Sequence, residues 1–172
     1  MKDWSHPRLQ NVDAAKDDWD DLAAEAQAAY QRRYASYPGL VKSGRIPAEE
    51  ARADLLAWRA IARDWHWIAY GDGEPADCNT MEQRMQALDV AVERWIEFAA
   101  NESGPLFPAD QRQGEAICAM RWWAERERTF FSHYDHARER ARRIHENCRA
   151  QGHPTRGERL AASPEAEMRR AA

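Results

Sequence analysis

The feature that most constrains this chain is an apolar seam between Glu115 and Ala150, spaced alternately four and three residues apart. It runs Ala116, Met120, Trp123, Glu127, Phe130, Tyr134, Ala137, Ala141, Ile144, Cys148, and only Glu127 breaks it. An α-helix advances 3.6 residues per turn, so this spacing keeps one stripe facing one direction over nearly five heptads. The stretch reads as a single long helix, about 109–150 at its widest. At 1.5 Å per residue, roughly 36 seam-bearing residues span about 54 Å, more than the about 30–37 Å of a helix of 20–25 residues. A stripe of that length is covered only by other helices, and the chain carries three upstream.

The first runs from about 13 to 37, with Asp17, Asp18, Asp20 and Asp21 near its start, where the helix dipole favours negative charge. Its stripe is Val12, Ala15, Trp19, Leu22, Ala26, Ala29; Tyr30, Tyr34 and Tyr37 form a second row, and Pro38-Gly39 is expected to end it. Pro47 then opens a helix over 47–70, whose stripe of Ala51, Leu55, Trp58, Ala62, Trp65 and Ala69 stops at Gly71. A short connection between two such helices implies an antiparallel pair. The third helix, 81–100, follows a Thr80-x-x-Gln83 capping box and carries Met81, Met85, Leu88, Val92, Trp95 and Ala99. Gly152 and Pro154 close the fourth.

No period-two segment reads as a strand. The fold class is all-α: a four-helix bundle-like single domain over 1–154 with a long C-terminal helix, followed by a flexible tail over 155–172. The residues before 12, with Trp4, His6 and Pro7, read as an arm lying against the body. No apolar run approaches the roughly 20 residues of a membrane span, and the N-terminus lacks a signal-peptide core, which sets a cytoplasmic expectation and no membrane partner. Three widely spaced cysteines, Cys78, Cys118 and Cys148, do not make a disulfide framework.

Chemistry is sparse. His133 with His136, and His145 with Cys148, have the i,i+3 spacing that puts two metal ligands on one helical face, but the pairs lie about 18 Å apart along a helix and cannot share an ion. A solvated or half-buried face is the simpler reading, so no metal is assigned. No Glu-x-x-His, phosphate loop, dinucleotide fingerprint or His-Glu-x-x-His is present, and the chain reads as a non-enzyme without a cofactor. Glu127, between Arg126 and Arg128 on the seam, reads as a group that fixes helix register.

Two surfaces remain as candidates. Residues 138–172 hold 9 Arg against 5 Glu, whereas 38–107 hold 7 Lys/Arg against 12 Asp/Glu, so the last helix is where an anionic partner has a case. Arg138, Arg142 and Arg149 are the candidate nucleic-acid contacts, since guanidinium matches phosphate oxygens. Asp135, Glu139 and Glu146 stand three or four residues before basic partners, and a face laced with ion pairs is the competing reading. The second surface is aromatic: Trp67, Tyr70 and Trp122 fall off the stripes, and exposed aromatics near Arg are the residue types of interaction hot spots.

Tyr37-Pro38-Gly39-Leu40-Val41, then Gly44-Arg45-Ile46 and the helix from Ala48 to Trp65, resemble a segment of small helical proteins encoded by bacteriophages and prophages. The likeness covers about thirty of the 172 residues; Pro47 stands where those proteins place a Ser or Thr cap, and the resemblance implies phage context without a reaction. Separately, Trp122-Trp123 with Arg126-Glu127-Arg128 is similar to a short stretch in the helical small subunit of Cascade-type CRISPR complexes, which implies contact with a nucleic-acid backbone. The resulting expectation is a phage or prophage accessory protein that binds a host or phage protein. A nucleic-acid-binding helical module is the alternative, and a homo-oligomer is compatible with either.

Overall fold

The computed structural model describes residues 6–76, 79–127 and 134–154. Among these there are six helices and no strand: α1 (Val12–Ala15), α2 (Trp19–Lys42), α3 (Ala48–Tyr70), α4 (Met81–Asn101), α5 (Pro108–Glu127) and α6 (Asp135–Ala150). The tail over 155–172 lies outside the described residues, as do Trp4, Cys78, Arg128, Phe130 and His133.

α2 and α3 form the most extensive pair. Their direction is fixed by contacts that move oppositely along the two helices: Tyr37 donates to Asp54, the Arg33 guanidinium stacks 4.0 Å from the Trp58 ring centre, and Trp19 stacks on Trp65 at 6.2 Å. α4 and α5 are antiparallel for the same reason, with Trp95 Nε1 bonded to Asp110 O at 2.8 Å and Asp89 paired with Arg121 at 2.5 Å. α2 also meets α5, α3 meets α4 and α6, and α1 rests on α5. The core is aromatic and fine-grained. Trp19, Trp58, Trp65 and Tyr134 are fully covered, and alanines such as Ala26, Ala29, Ala60, Ala99 and Ala119 leave room for them.

The capping box forms as its sequence requires: Thr80 Oγ1 accepts from Gln83 N at 3.2 Å and Gln83 Oε1 accepts from Thr80 N at 2.9 Å. Three boundaries differ from expectation. The first expected helix is split, because Asp18 accepts from Asp21 N and caps α2 afresh, so Lys16 and Asp17 fall between α1 and α2. The break frees Lys16 O to accept the Trp123 indole N–H at 3.0 Å. Pro38 does not stop α2, which runs to Lys42; the donor it lacks lies on an exposed face of the helix, and the turn is made at Gly44, φ 71°.

The third difference concerns the seam. The expected continuous helix over 109–150 is not observed: α5 is described as far as Glu127, and Tyr134 stands before α6 with φ 59° and ψ 27°, a left-handed conformation that a right-handed helix does not contain. The seam residues on both sides are nonetheless buried, including Ala116, Met120, Trp123, Glu127, Tyr134, Ala137 and Ala141. Periodicity reports which residues are covered, and it is indifferent to a change of helix between them.

Polar groups tie the elements together inside. Asp64 of α3 and Arg84 of α4 form a fully buried ion pair at 2.7 Å; Asp64 also accepts from Ala76 N, and Arg84 donates to Ala76 O and Asn79 O, each at 2.7 Å. The loop before α4 is thereby held by one acid and one base. Tyr134 sits near this pair, its ring 5.9 Å from Trp65, and burial together with the Asp64 charge raises its phenol pKa. Glu115, also buried, accepts from Asn11 N at 3.1 Å and Gln111 at 3.0 Å, and so holds the N-terminal arm to α5.

Candidate interaction site

A surface groove of about 880 Å³ runs between α1, α5 and α6. Its floor is Trp122 and Trp123, with rings 4.8 Å apart and nearly perpendicular. The two differ by one position, about 100° of helix, so Trp123 turns inward onto Trp19 at 5.3 Å while Trp122 stays half-buried at the groove. Two cations lie over the Trp122 indole: Lys16 Nζ at 4.3 Å and the Arg126 guanidinium at 5.4 Å. The negative face of an indole attracts both, and this holds Lys16 and Arg126 at the rim.

The remaining rim is built of opposite charges. Arg140 grips Asp17 through two bonds of 2.6 Å, Lys16 pairs with Asp13 at 2.5 Å, and Arg143 pairs with Glu139 at 2.7 Å. The groove is therefore aromatic at its floor and mixed in charge at its edge. His136 closes one end, its Nδ1 3.3 Å from the buried Glu127 carboxylate. Glu127 is thus matched by a histidine from α6.

The expected Arg-rich face is occupied by intramolecular partners. Arg138 Nη1 donates to Ile68 O at 3.1 Å and caps the C-terminus of α3, where Gly71 takes φ 70° and leaves no Cβ in the way; a Cβ there would lie 1.9 Å from Arg138 Nη2. Burial, then the neighbouring Arg142 charge, lowers the Arg138 pKa. Arg142 is held bidentately by Glu139, both bonds 2.9 Å, and by Glu146 at 2.6 Å. These bonds raise the Arg142 pKa, and Glu139, between Arg142 and Arg143, is drawn down to about 2. Arg149 is engaged as well.

The three off-stripe aromatics do not form one patch. Trp67 is half-buried against the core, as is Trp122. Tyr70 is 45% exposed, its ring 5.1 Å from His66. Burial, then the Asp20 charge, pushes the Tyr70 phenol up to about 12. Of the two histidine pairs, His133 lies outside the described residues, and His145 approaches Asp20 at 4.0 Å while Cys148 is partly exposed. No group of three His, Cys, Asp or Glu among the described residues is arranged to hold a metal ion, and no described helix is long and apolar enough to cross a membrane.

The sequence singles out Trp122 but not the cations over it. They come from the break between α1 and α2 and from one turn further along α5, and the break that presents Lys16 leaves no periodic trace. Comparisons with protein families, with curated proteins and with solved structures return no match.

Proposed function

We propose that this chain is a non-enzymatic accessory protein of a phage or prophage that acts by binding a host or phage protein, and that Trp122 is the anchor of the binding surface. The observation that carries this reading is the groove at Trp122: a large half-buried ring on a rigid helix, flanked by Lys16 and Arg126 and rimmed by paired charges. Aromatic and Arg residues in a partly desolvated pocket are the residue types that dominate protein interfaces, and a mixed rim supplies orientation. The neighbours α2–α3–α4–α5–α2 suit a four-helix bundle-like body presenting this groove on one side. Phage context rests on the resemblance around Tyr37 to Trp65.

The pairing of Arg140, Arg142 and Arg143 with acids favours this reading over nucleic-acid binding by α6, because a phosphate backbone would have to displace carboxylates already in bidentate contact. The test is affinity purification from the native host followed by mass spectrometry, with wild type, Trp122→Ala and Arg126→Glu in parallel. A partner recovered with wild type and reduced at least tenfold with both variants supports the proposal. Recovery of the chain alone, or turnover of a small molecule by it, sinks the proposal.

A further inference from the structure

The outward face of α3 is a row spaced four and three apart: Arg52, Leu56, Arg59, Arg63, His66 and Tyr70, all exposed. It is hidden in the net charge of its region because the acids of the same helix are used elsewhere. Asp54 is taken by Arg33 and Tyr37 of α2, and Asp64 is buried against Arg84. Among the described residues Arg52, Arg59 and Arg63 make no ion pair with an acid; Arg63 donates only to the Glu74 carbonyl, at 3.0 Å, which leaves its charge uncompensated. This is the converse of α6, where clustered arginines are neutralised.

Beside Arg59, across a shallow cleft of about 350 Å³, stands Tyr30 of α2. Its ring lies 6.1 Å from that of Tyr34, which is 61% exposed. The row is bounded by Glu49 and Glu50 at one end and by Asp72, 3.6 Å from His66, with Glu74 at the other. Between these acids, Arg52 to Arg63 span about 16 Å of helix.

We infer that this segment, Arg52, Arg59 and Arg63 with the Tyr30–Tyr34 pair beside them, is a binding surface for single-stranded nucleic acid. Three unpaired guanidiniums in line meet successive phosphates, and adjacent tyrosine faces give bases a surface on which to stack. An acidic peptide would use the cations and leave the exposed rings without a role. The surface is separate from the Trp122 groove and does not rest on the protein-binding proposal.

The test is fluorescence anisotropy of a labelled 20-nucleotide oligo-dT with the full-length protein in about 50 mM NaCl. With about three phosphates neutralised, affinity should fall about 100-fold for a tenfold rise in salt. The triple variant Arg52→Gln, Arg59→Gln, Arg63→Gln should bind at least tenfold more weakly, Tyr34→Ala should weaken binding without changing the salt slope, and Arg142→Gln with Arg149→Gln should stay within twofold of wild type. If the triple variant loses its helical circular dichroism, Arg59→Gln alone reads the same effect as a salt slope smaller by about 0.7. Absence of binding in about 50 mM NaCl overturns the inference. Equal loss in the α6 variant does so too, as does competition by poly-glutamate as strong as by unlabelled oligo-dT, which would give the face to an acidic protein.

Discussion

At Gly114 the decisive quantity is one missing carbon. A Cβ at this position would lie 2.2 Å from Trp95 Cε2, and Trp95 is held in place by its indole bond to Asp110 O. The ring cannot swing aside without losing that bond. Gly114→Ala should therefore destabilise by about 1–3 kcal/mol despite the gain in helix propensity, read as a lowered midpoint in urea. Cys118, four residues on, faces the core; burial, then the Glu115 charge, pushes its thiol up to about 12. Native protein exposed to iodoacetamide at pH 8 should be alkylated at Cys148 well before Cys118, with peptide mapping as the readout. Early modification of Cys118 would mean that α5 opens locally.

At the scale of the element, what the sequence discloses is burial, and what it conceals is connectivity. The stripes of α3 and α4 appear where their spacing puts them, and the capping box marks the start of α4. The seam from Ala116 to Ala141 is also covered as its pattern implies, yet it belongs to two helices, since a left-handed Tyr134 leaves the four-three rhythm intact. The split between α1 and α2 was hidden for a related reason: Asp18 is acceptable in a first turn and also a strong cap, and only tertiary contacts with Trp123 decide between these. Trp123 is 4% exposed, wedged between Trp19 and its bond to Lys16 O, so Trp123→Ala should cost about 3–5 kcal/mol. Trp67 is only partly covered, and Trp67→Ala should lower the thermal midpoint less. Equal losses at both positions would place Trp67 in the core and remove it from the candidate interaction surface.

Over the whole molecule, the interior is held together by polar groups as well as by tryptophans, and this makes folding sensitive to alkaline pH. Three tyrosines have phenols raised above their ordinary value of 10: Tyr37 by burial and its bond to Asp54, Tyr70 by burial and Asp20, and Tyr134 by burial and Asp64. They come from α2, from α3 and from the start of α6, so their ionisation acts on the packing of all three helices. An unfolded chain releases these protons near pH 10, whereas the folded chain retains that of Tyr70 until about 12. Stability from these groups is thus fully present below pH 10 and is lost as pH rises through the folded values, because only the unfolded state then gains from deprotonation. The expected behaviour is a protein whose urea midpoint is flat from pH 8 to 10 and falls between about 10 and 12. Absorbance at 295 nm should show these phenolates appearing together with loss of helical circular dichroism. Tyr70→Phe should make the decline shallower, since Tyr70 is partly exposed and contributes only a share, with Tyr37 and Tyr134 supplying the rest. A full complement of phenolate at pH 11 with the helices still intact would mean that the Tyr70–Asp20 and Tyr134 contacts do not hold the neutral phenols in place.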